Sequence, residues 1–243
     1  MYRYDAVLFD VDDTLLDFRA SQAEACRAVF DLYAATGLSL DVFFGAFQNA
    51  SDITWGLYME KRITWAQVTD RTFENLARIL PRSDRVDTHD AALLFSTAFA
   101  EHSVAEPDAS RILASLHGRC ITGIISNHEQ PEVQRRRLAA SGLAAFLDVI
   151  VISGDIGIEK PDPRVFAHTL QLLGMTAKQC LFVGDSIILD DAGARNAGMD
   201  FCWYRRHHTA PFAPTTALKV IESLTELDAL LNAPDLPENR TTG

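Results

Sequence analysis

Several residues able to do chemistry stand at the ends of apolar runs in this chain. The first run closes as Leu8-Phe9-Asp10-Val11-Asp12-Asp13-Thr14, with three aspartates in four positions. Packed carboxylates repel one another unless a proton or a cation sits among them. Turn and cap duties account for one or two of the three, not for all. A second acidic group, Gly184-Asp185-Ser186 followed by Asp190-Asp191, ends the run Leu181–Val183. Two acidic edges in one sheet would form an all-oxygen site for a hard cation, typically Mg2+ with several waters retained. Ser126-Asn127 ends another run and offers a hydroxyl and a backbone N–H at a helix start, where anions bind. Lys160, between Gly157 and Pro161, would neutralise a phosphate or the charge of a nucleophilic carboxylate.

The elements that must hold these residues are legible as periodicity. Ala6–Phe9, Ile121–Ile125, Val149–Ile152, Leu181–Val183 and Phe201–Tyr204 are continuously apolar. Strands buried on both faces of a parallel sheet read this way. Helical patterns lie between them at Ala109–Leu116, Pro131–Ala140, Pro163–Leu173, Asp191–Ala197 and Leu218–Leu231. Pro131 and Pro163 suit a first helical turn, and Gly142 and Gly174 suit C-terminal caps. The alternation predicts an α/β, doubly wound parallel sheet, whose ligands bind at the carboxyl ends of the strands. One stretch breaks the rhythm. Ser21–Thr36, Leu40–Asn49, Thr64–Leu80 and Thr88–Glu101 all read as helix, with no strand among them. The expected organisation is therefore a catalytic core over 1–17 and 104–232, a helical insert over 18–103, and a flexible polar tail over 233–243.

The chain has 243 residues, 48% of them hydrophobic, and a net charge of −11. So acidic a surface argues against nucleic acid and anionic membranes as partners. No apolar run approaches the ~18–20 residues of a membrane helix. Cys26, Cys120, Cys180 and Cys202 are scattered, with no Cys-x-x-Cys pair, and are expected as buried reduced thiols. With no signal-peptide pattern at the start, the expected compartment is the cytoplasm. The basic runs Arg135-Arg136-Arg137 and Arg205-Arg206-His207-His208 are expected as a solvated helix face and a surface loop. No feature of the sequence bears on oligomeric state.

Taken in order, Asp10-Val11-Asp12-Asp13-Thr14, Ser126-Asn127, Lys160-Pro161 and Gly184-Asp185-Ser186 with Asp190 resemble the four motifs of the haloacid dehalogenase superfamily. The resemblance spans about residues 5–205 and the closing helix. It implies a Rossmann-like core with strand order 5-4-1-2-3, so that Asp10 lies beside Asp185, and an α-helical cap between the first two motifs. It implies that Asp10 attacks phosphorus and forms an aspartyl-phosphate. Asp12 would protonate the leaving alkoxide and then activate water. Thr14, Ser126 and Asn127 would bind the phosphoryl group and the nucleophile region, and Lys160 would offset their charge. Mg2+ would take Asp10, the backbone carbonyl of Asp12, and Asp185, with Asp190 in support. The family often has Asn where this chain has Leu189, so Asp191 is an alternative to Asp190.

The expected activity is hydrolysis of a small phosphorylated metabolite. A halide leaves without a proton, so a 2-haloacid dehalogenase does not need the acid at Asp12 that an alkoxide requires. A receiver-like phospho-acceptor module is too short to contain the helical insert. Within the insert, Trp55, Tyr58, Ile63-Thr64, Arg71 and Phe73 are similar to the branch that includes pyrimidine 5′-nucleotidases, although a Gly usual in that pattern is missing and Ser51 replaces an Asn. The substrate reading is therefore a nucleoside 5′-monophosphate, stacked on a cap aromatic such as Trp55 or Phe18, with phosphoglycolate or a sugar phosphate as the alternative.

Overall fold

The computed structural model describes residues 3–81, 83, 86–207 and 214–232. The tail expected over 233–243 lies outside the described residues. In chain order the strands are β1 (Ala6–Phe9), β2 (Leu16–Asp17), β3 (Val104–Ala105), β4 (Ile121–Ser126), β5 (Val149–Ile152), β6 (Cys180–Gly184), β7 (Asp200–Tyr204) and β8 (Lys219–Ile221). The helices are α1 (Phe18–Phe30), α2 (Leu40–Met59), α3 (Val68–Ile79), α4 (Thr88–Glu101), α5 (Ala109–Leu116), α6 (Pro131–Ala140), α7 (Ser153–Ile156), α8 (Pro163–Leu173), α9 (Ala192–Asn196) and α10 (Leu227–Leu231). The chain divides into two compact units. The first comprises Met1–Leu16, Ala105–Pro131 and Gly142–Gly243, and the second Asp17–Val104 and Glu132–Ser141.

The first unit is an α/β fold around a parallel sheet in the order β5-β4-β1-β6-β7-β8. Its first five members are the five apolar runs in the neighbour order that the resemblance implies. All four residues of β1 are fully buried, which is why that run carries no polar alternation. Phe9 is level with Ile124 on one side and Val183 on the other. The residues that follow β1, β4 and β6 therefore emerge at one edge. Gly123 permits the close approach of β5, since a Cβ there would lie 2.2 Å from Val149 Cγ1. Asp162 accepts from the Arg164 N–H at 2.9 Å to start α8, Pro163 occupies its first turn, and Gly174 ends it at φ 65°. All four cysteines are free thiols, and burial pushes Cys180 up to about 11 and Cys202 up to about 12.

The second unit has an aromatic core. The Phe47 ring lies 4.8 Å from Phe95 and 5.7 Å from Phe73, centroid to centroid. Asp17 opens α1 by accepting from the Ala20 N–H at 2.7 Å, and Asp87 opens α4 by accepting from the His89 N–H at 2.8 Å. Within this core the buried Asn75 Nδ2 donates to Thr54 Oγ1 at 3.1 Å.

Three expectations need correction. Residues 132–141, counted with the core from sequence, group with the second unit. Arg137 is fully buried there, not solvated: its guanidinium lies 4.2 Å from the Phe99 ring centre and donates to Ser103 Oγ at 3.1 Å and Gln134 Oε1 at 2.8 Å. Gln134, Arg137 and Leu138 share one face at helical spacing, so the buried stripe of α6 is partly polar and gives no apolar periodicity. Finally, the helix expected over Leu218–Leu231 begins instead as a strand. Lys219–Ile221 pairs with β7, and the capping box of Ser223 and Glu226 starts the helical part only after it.

Candidate active site

Asp10 directly follows β1, and its N–H donates to the Val183 carbonyl at 2.8 Å, continuing the ladder by one residue. That bond fixes the buried carboxylate of Asp10 at the sheet edge. Lys160 Nζ donates to Asp10 Oδ1 at 2.5 Å and to Asp190 Oδ1 at 2.7 Å. Thr14 Oγ1 lies 3.4 Å from Asp10 Oδ2. One carboxylate oxygen each from Asp10, Asp185 and Asp190 falls within 4.8 Å of the others. Three carboxylates thus meet one ammonium.

The titration behaviour follows from that count. Burial favours a neutral amine at Lys160, but the charges of Asp10 and Asp190 outweigh it and hold the ammonium above its ordinary range. Burial raises the Asp10 carboxyl well above its usual value; Lys160 opposes this, and the like charges of Asp190 and Asp185 reinforce it. Asp190 is raised for the same reasons, with Asp185 as its like-charged neighbour. The surplus of negative charge and the all-oxygen donor set fit a hard divalent cation.

The turn that carries Asp190 is wide. Ile187–Asp191 forms one π-helical turn, a feature frequent at functional sites. Asp190 Oδ2 accepts from the Ser186 N–H at 2.9 Å. A Cβ on Gly184 would sit 2.4 Å from that same oxygen, so only glycine leaves room for it. Asp191 turns elsewhere, accepting from Thr215 Oγ1 at 2.7 Å and the Thr216 N–H at 2.8 Å.

The remaining sequence candidates divide. Ser126, buried, is the last residue of β4, at the same edge as Asp10. Asn127, expected at the phosphate, clamps the backbone of Lys160: its Nδ2 donates to the Lys160 carbonyl at 2.9 Å, and its Oδ1 accepts from the Lys160 N–H at 2.8 Å. Asp12 lies in the turn after β1, bridged to Leu16. In the second unit, Trp55 packs edge-on to Tyr58 at 5.5 Å and Trp65 at 5.3 Å, and Phe18 to Phe99 at 5.6 Å.

Sequence reasoning missed Glu106. This buried carboxylate accepts from Tyr204 Oη at 2.9 Å and Arg206 Nη1 at 2.8 Å, and meets His207 Nε2. Arg206 and His207 are therefore tied down rather than loose in a surface loop; His208 lies outside the described residues. No local signal marks a glutamate between Ala105 and Pro107 as buried.

The model for haloacid dehalogenase-like hydrolases matches residues 4–198. The chain belongs to that family. It is 30% identical over 230 residues to pyrimidine 5′-nucleotidase YjjG of Escherichia coli, covering 94% of this chain and 98% of that one. The crystal structure of the HAD-hydrolase YfnB of Bacillus subtilis, bound to magnesium, superposes with a TM-score of 0.80 at 27% identity, covering 95% of this chain and all of that one. A dehalogenase with an intermediate bound superposes with a TM-score of 0.69 at 25% identity, over 96% of this chain and 100% of that one. The protein is a hydrolase. Among the described residues no helix is long and apolar enough to cross a membrane.

Proposed function

We propose that this hydrolase is a magnesium-dependent phosphomonoesterase that works through an aspartyl-phosphate on Asp10, with a nucleoside 5′-monophosphate as substrate. The observation that carries the reading is the buried Asp10 carboxylate held among Lys160, Asp185 and Asp190, with Asp12 two residues on. Asp10 and Asp185, with the backbone carbonyl of Asp12, would hold Mg2+, and Asp190 would support it. Bound there, the ion supplies the charge neutralisation that phosphoryl oxygens require.

The chain's own residues do the rest. An oxygen of Asp10 bonds to phosphorus as the bond to the alkoxide breaks, and Asp12 delivers the proton that the alkoxide needs. Asp12 then takes a proton from the water that cleaves the acyl phosphate, and inorganic phosphate leaves. Lys160 stays charged throughout and screens Asp10 from Asp190. Asn127 acts on this reading by fixing Lys160, in addition to the phosphate role that the motif implies with Ser126 and Thr14. Asp12 separates the reading from the dehalogenase one, since a halide needs no proton on leaving. The nucleotide assignment rests on the likeness to the nucleotidase and on the Trp55, Tyr58 and Thr64 spacing; phosphoglycolate or a sugar phosphate is the alternative. Burial of three of the four free thiols suits a cytoplasmic enzyme.

The test is a panel of nucleoside monophosphates, sugar phosphates, phosphoglycolate, an aryl phosphate and a 2-haloacid, each with Mg2+ and with chelator. The expected result is phosphate release that chelator removes and Mg2+ restores, fastest on a nucleoside monophosphate. Halide release without phosphate release would overturn the reading; a preference for phosphoglycolate would overturn the substrate alone.

A further inference from the structure

We infer that Glu106 is a positioning residue for Asp12. The inference rests on the reading of Asp12 as general acid. Asp12 sits in a turn of six residues that closes on itself: the N–H groups of Leu15 and Leu16 donate to the Val11 carbonyl at 2.8 Å, and the Asp13 N–H donates to the Leu16 carbonyl at 2.7 Å. Asp13 pays for this closure with a left-handed backbone at φ 59°, unusual for a residue with a side chain. Such a turn needs support from outside itself.

Glu106 bonds to this turn through its backbone and stands beside it with its side chain. Its N–H donates to the Leu15 carbonyl at 2.9 Å. Its carboxylate, the Asp13 carboxylate and the His207 ring bring one ligand-type atom each within 4.8 Å of the others. The carboxylate in turn is held by Tyr204 Oη at 2.9 Å, Arg206 Nη1 at 2.8 Å and His207 Nε2. Tyr204 is the last residue of β7, which is hydrogen-bonded to β6 and so to the sheet carrying Asp10. Glu106 therefore ties the turn to the rigid sheet through a charged, buried group whose donors are supplied by one strand end. Arg206 and the His207 ring meet the Glu106 carboxylate beside the Asp13 carboxylate. A neutral residue at 106 would change how Asp13, Glu106 and His207 share this space and shift the turn, with Asp12 in it. A displacement of about 1 Å at a reacting group can lower the rate on the order of 10²-fold.

The experiment compares kcat and KM for an alkyl phosphate and for an aryl phosphate whose leaving group needs little protonation. Wild type, Asp12→Asn, Glu106→Gln and Arg206→Met are measured together, with Tm for each. The expected result for Glu106→Gln is a kcat about 10²-fold lower on the alkyl phosphate, a much smaller loss on the aryl phosphate, and little change in KM. Arg206→Met, which removes one exposed-side donor, should repeat the pattern more weakly, and it decides the matter if Glu106→Gln does not fold. Equal losses on both substrates, or a change confined to KM or Tm, would overturn the positioning role. If Asp12→Asn itself shows no dependence on the leaving group, the general-acid reading fails and the inference with it. If Asp12→Asn shows the dependence and neither Glu106→Gln nor Arg206→Met does, the inference fails alone.

Discussion

Two clusters of the first unit are each built on a buried carboxylate, and they are balanced in opposite ways. Around Asp10, three carboxylates meet a single ammonium. Around Glu106, a carboxylate pair meets a guanidinium, a phenol and an imidazole. Both sets are compact enough to enclose an ion. In the first, negative charge is in surplus, which is what raises the Asp10 carboxyl and what a cation would relieve. In the second, the oxygens of Glu106 are already taken by protein donors. Its effect on Tyr204 is visible: burial, the Glu106 charge and the hydrogen bond to it hold that phenol above its ordinary range. Charge surplus equips a cluster for a ligand, and donor sufficiency equips it to hold the backbone still.

The comparison breaks most sharply at Asp10. Asp10→Asn should lower turnover on the order of 10⁴–10⁶-fold, as removal of a nucleophile does elsewhere, with the fold intact by circular dichroism. A variant retaining a tenth of the activity would show that the surplus charge serves something other than covalent catalysis. Lys160→Met comes next. It leaves Asp10 and Asp190 buried without their ammonium, a loss of about 3–5 kcal/mol when one partner of a buried pair is removed. Denaturant unfolding at neutral pH measures it. Because both carboxyls are raised, they protonate early as pH falls, and the deficit should shrink on the acid side.

Metal binding sharpens the contrast between the clusters. At about 100 times its Kd, a ligand that binds only the folded state stabilises it by about 2.7 kcal/mol. Mg2+ should raise the Tm of wild type accordingly. Asp185→Ala should abolish that rise, whereas Glu106→Gln should retain it. The reverse pattern would exchange the roles of the two clusters. The smallest effect is expected at Asp191, next in sequence to Asp190 and outside both clusters. Burial pushes its carboxyl up, but hydrogen bonds from Thr216 and Thr215 outweigh this and leave it below the usual range. A depressed carboxyl stabilises the fold above the unfolded pKa, and that contribution is lost as pH falls through the folded value. Asp191→Asn should therefore cost about 1–2 kcal/mol near neutral pH, with a difference from wild type that fades below about pH 4. Turnover should be nearly unchanged.

Much of the first cluster was legible because its residues stand next to apolar runs. Asp10, Ser126 and Asp185 are placed by strand ends, and a strand buried on both faces announces itself in composition. Lys160 was readable as a lysine held beside a proline. Spacing favoured Asp190 but left Asp191 open, since both carboxylates follow the same strand. The choice is made by a π-helical turn and by the space that Gly184 leaves. Glu106 and Arg137 were unreadable for a related reason. Each is a charged residue whose partners lie far along the chain, at Tyr204 and Arg206 for the one and at Phe99 and Ser103 for the other.

Sequence alone determined the α/β class, five of the six strands of the main sheet, most of the helices between them, and the acids at the strand ends, because periodicity and punctuation are local properties of a chain. Tertiary structure decided which aspartate joins Lys160, where Asn127 turns, that 219–221 form a sixth strand of the main sheet, and that Glu106 and Arg137 are buried. Those outcomes depend on which distant group supplies a buried charge with its hydrogen bonds, and that is settled only when the sheet brings its edges together.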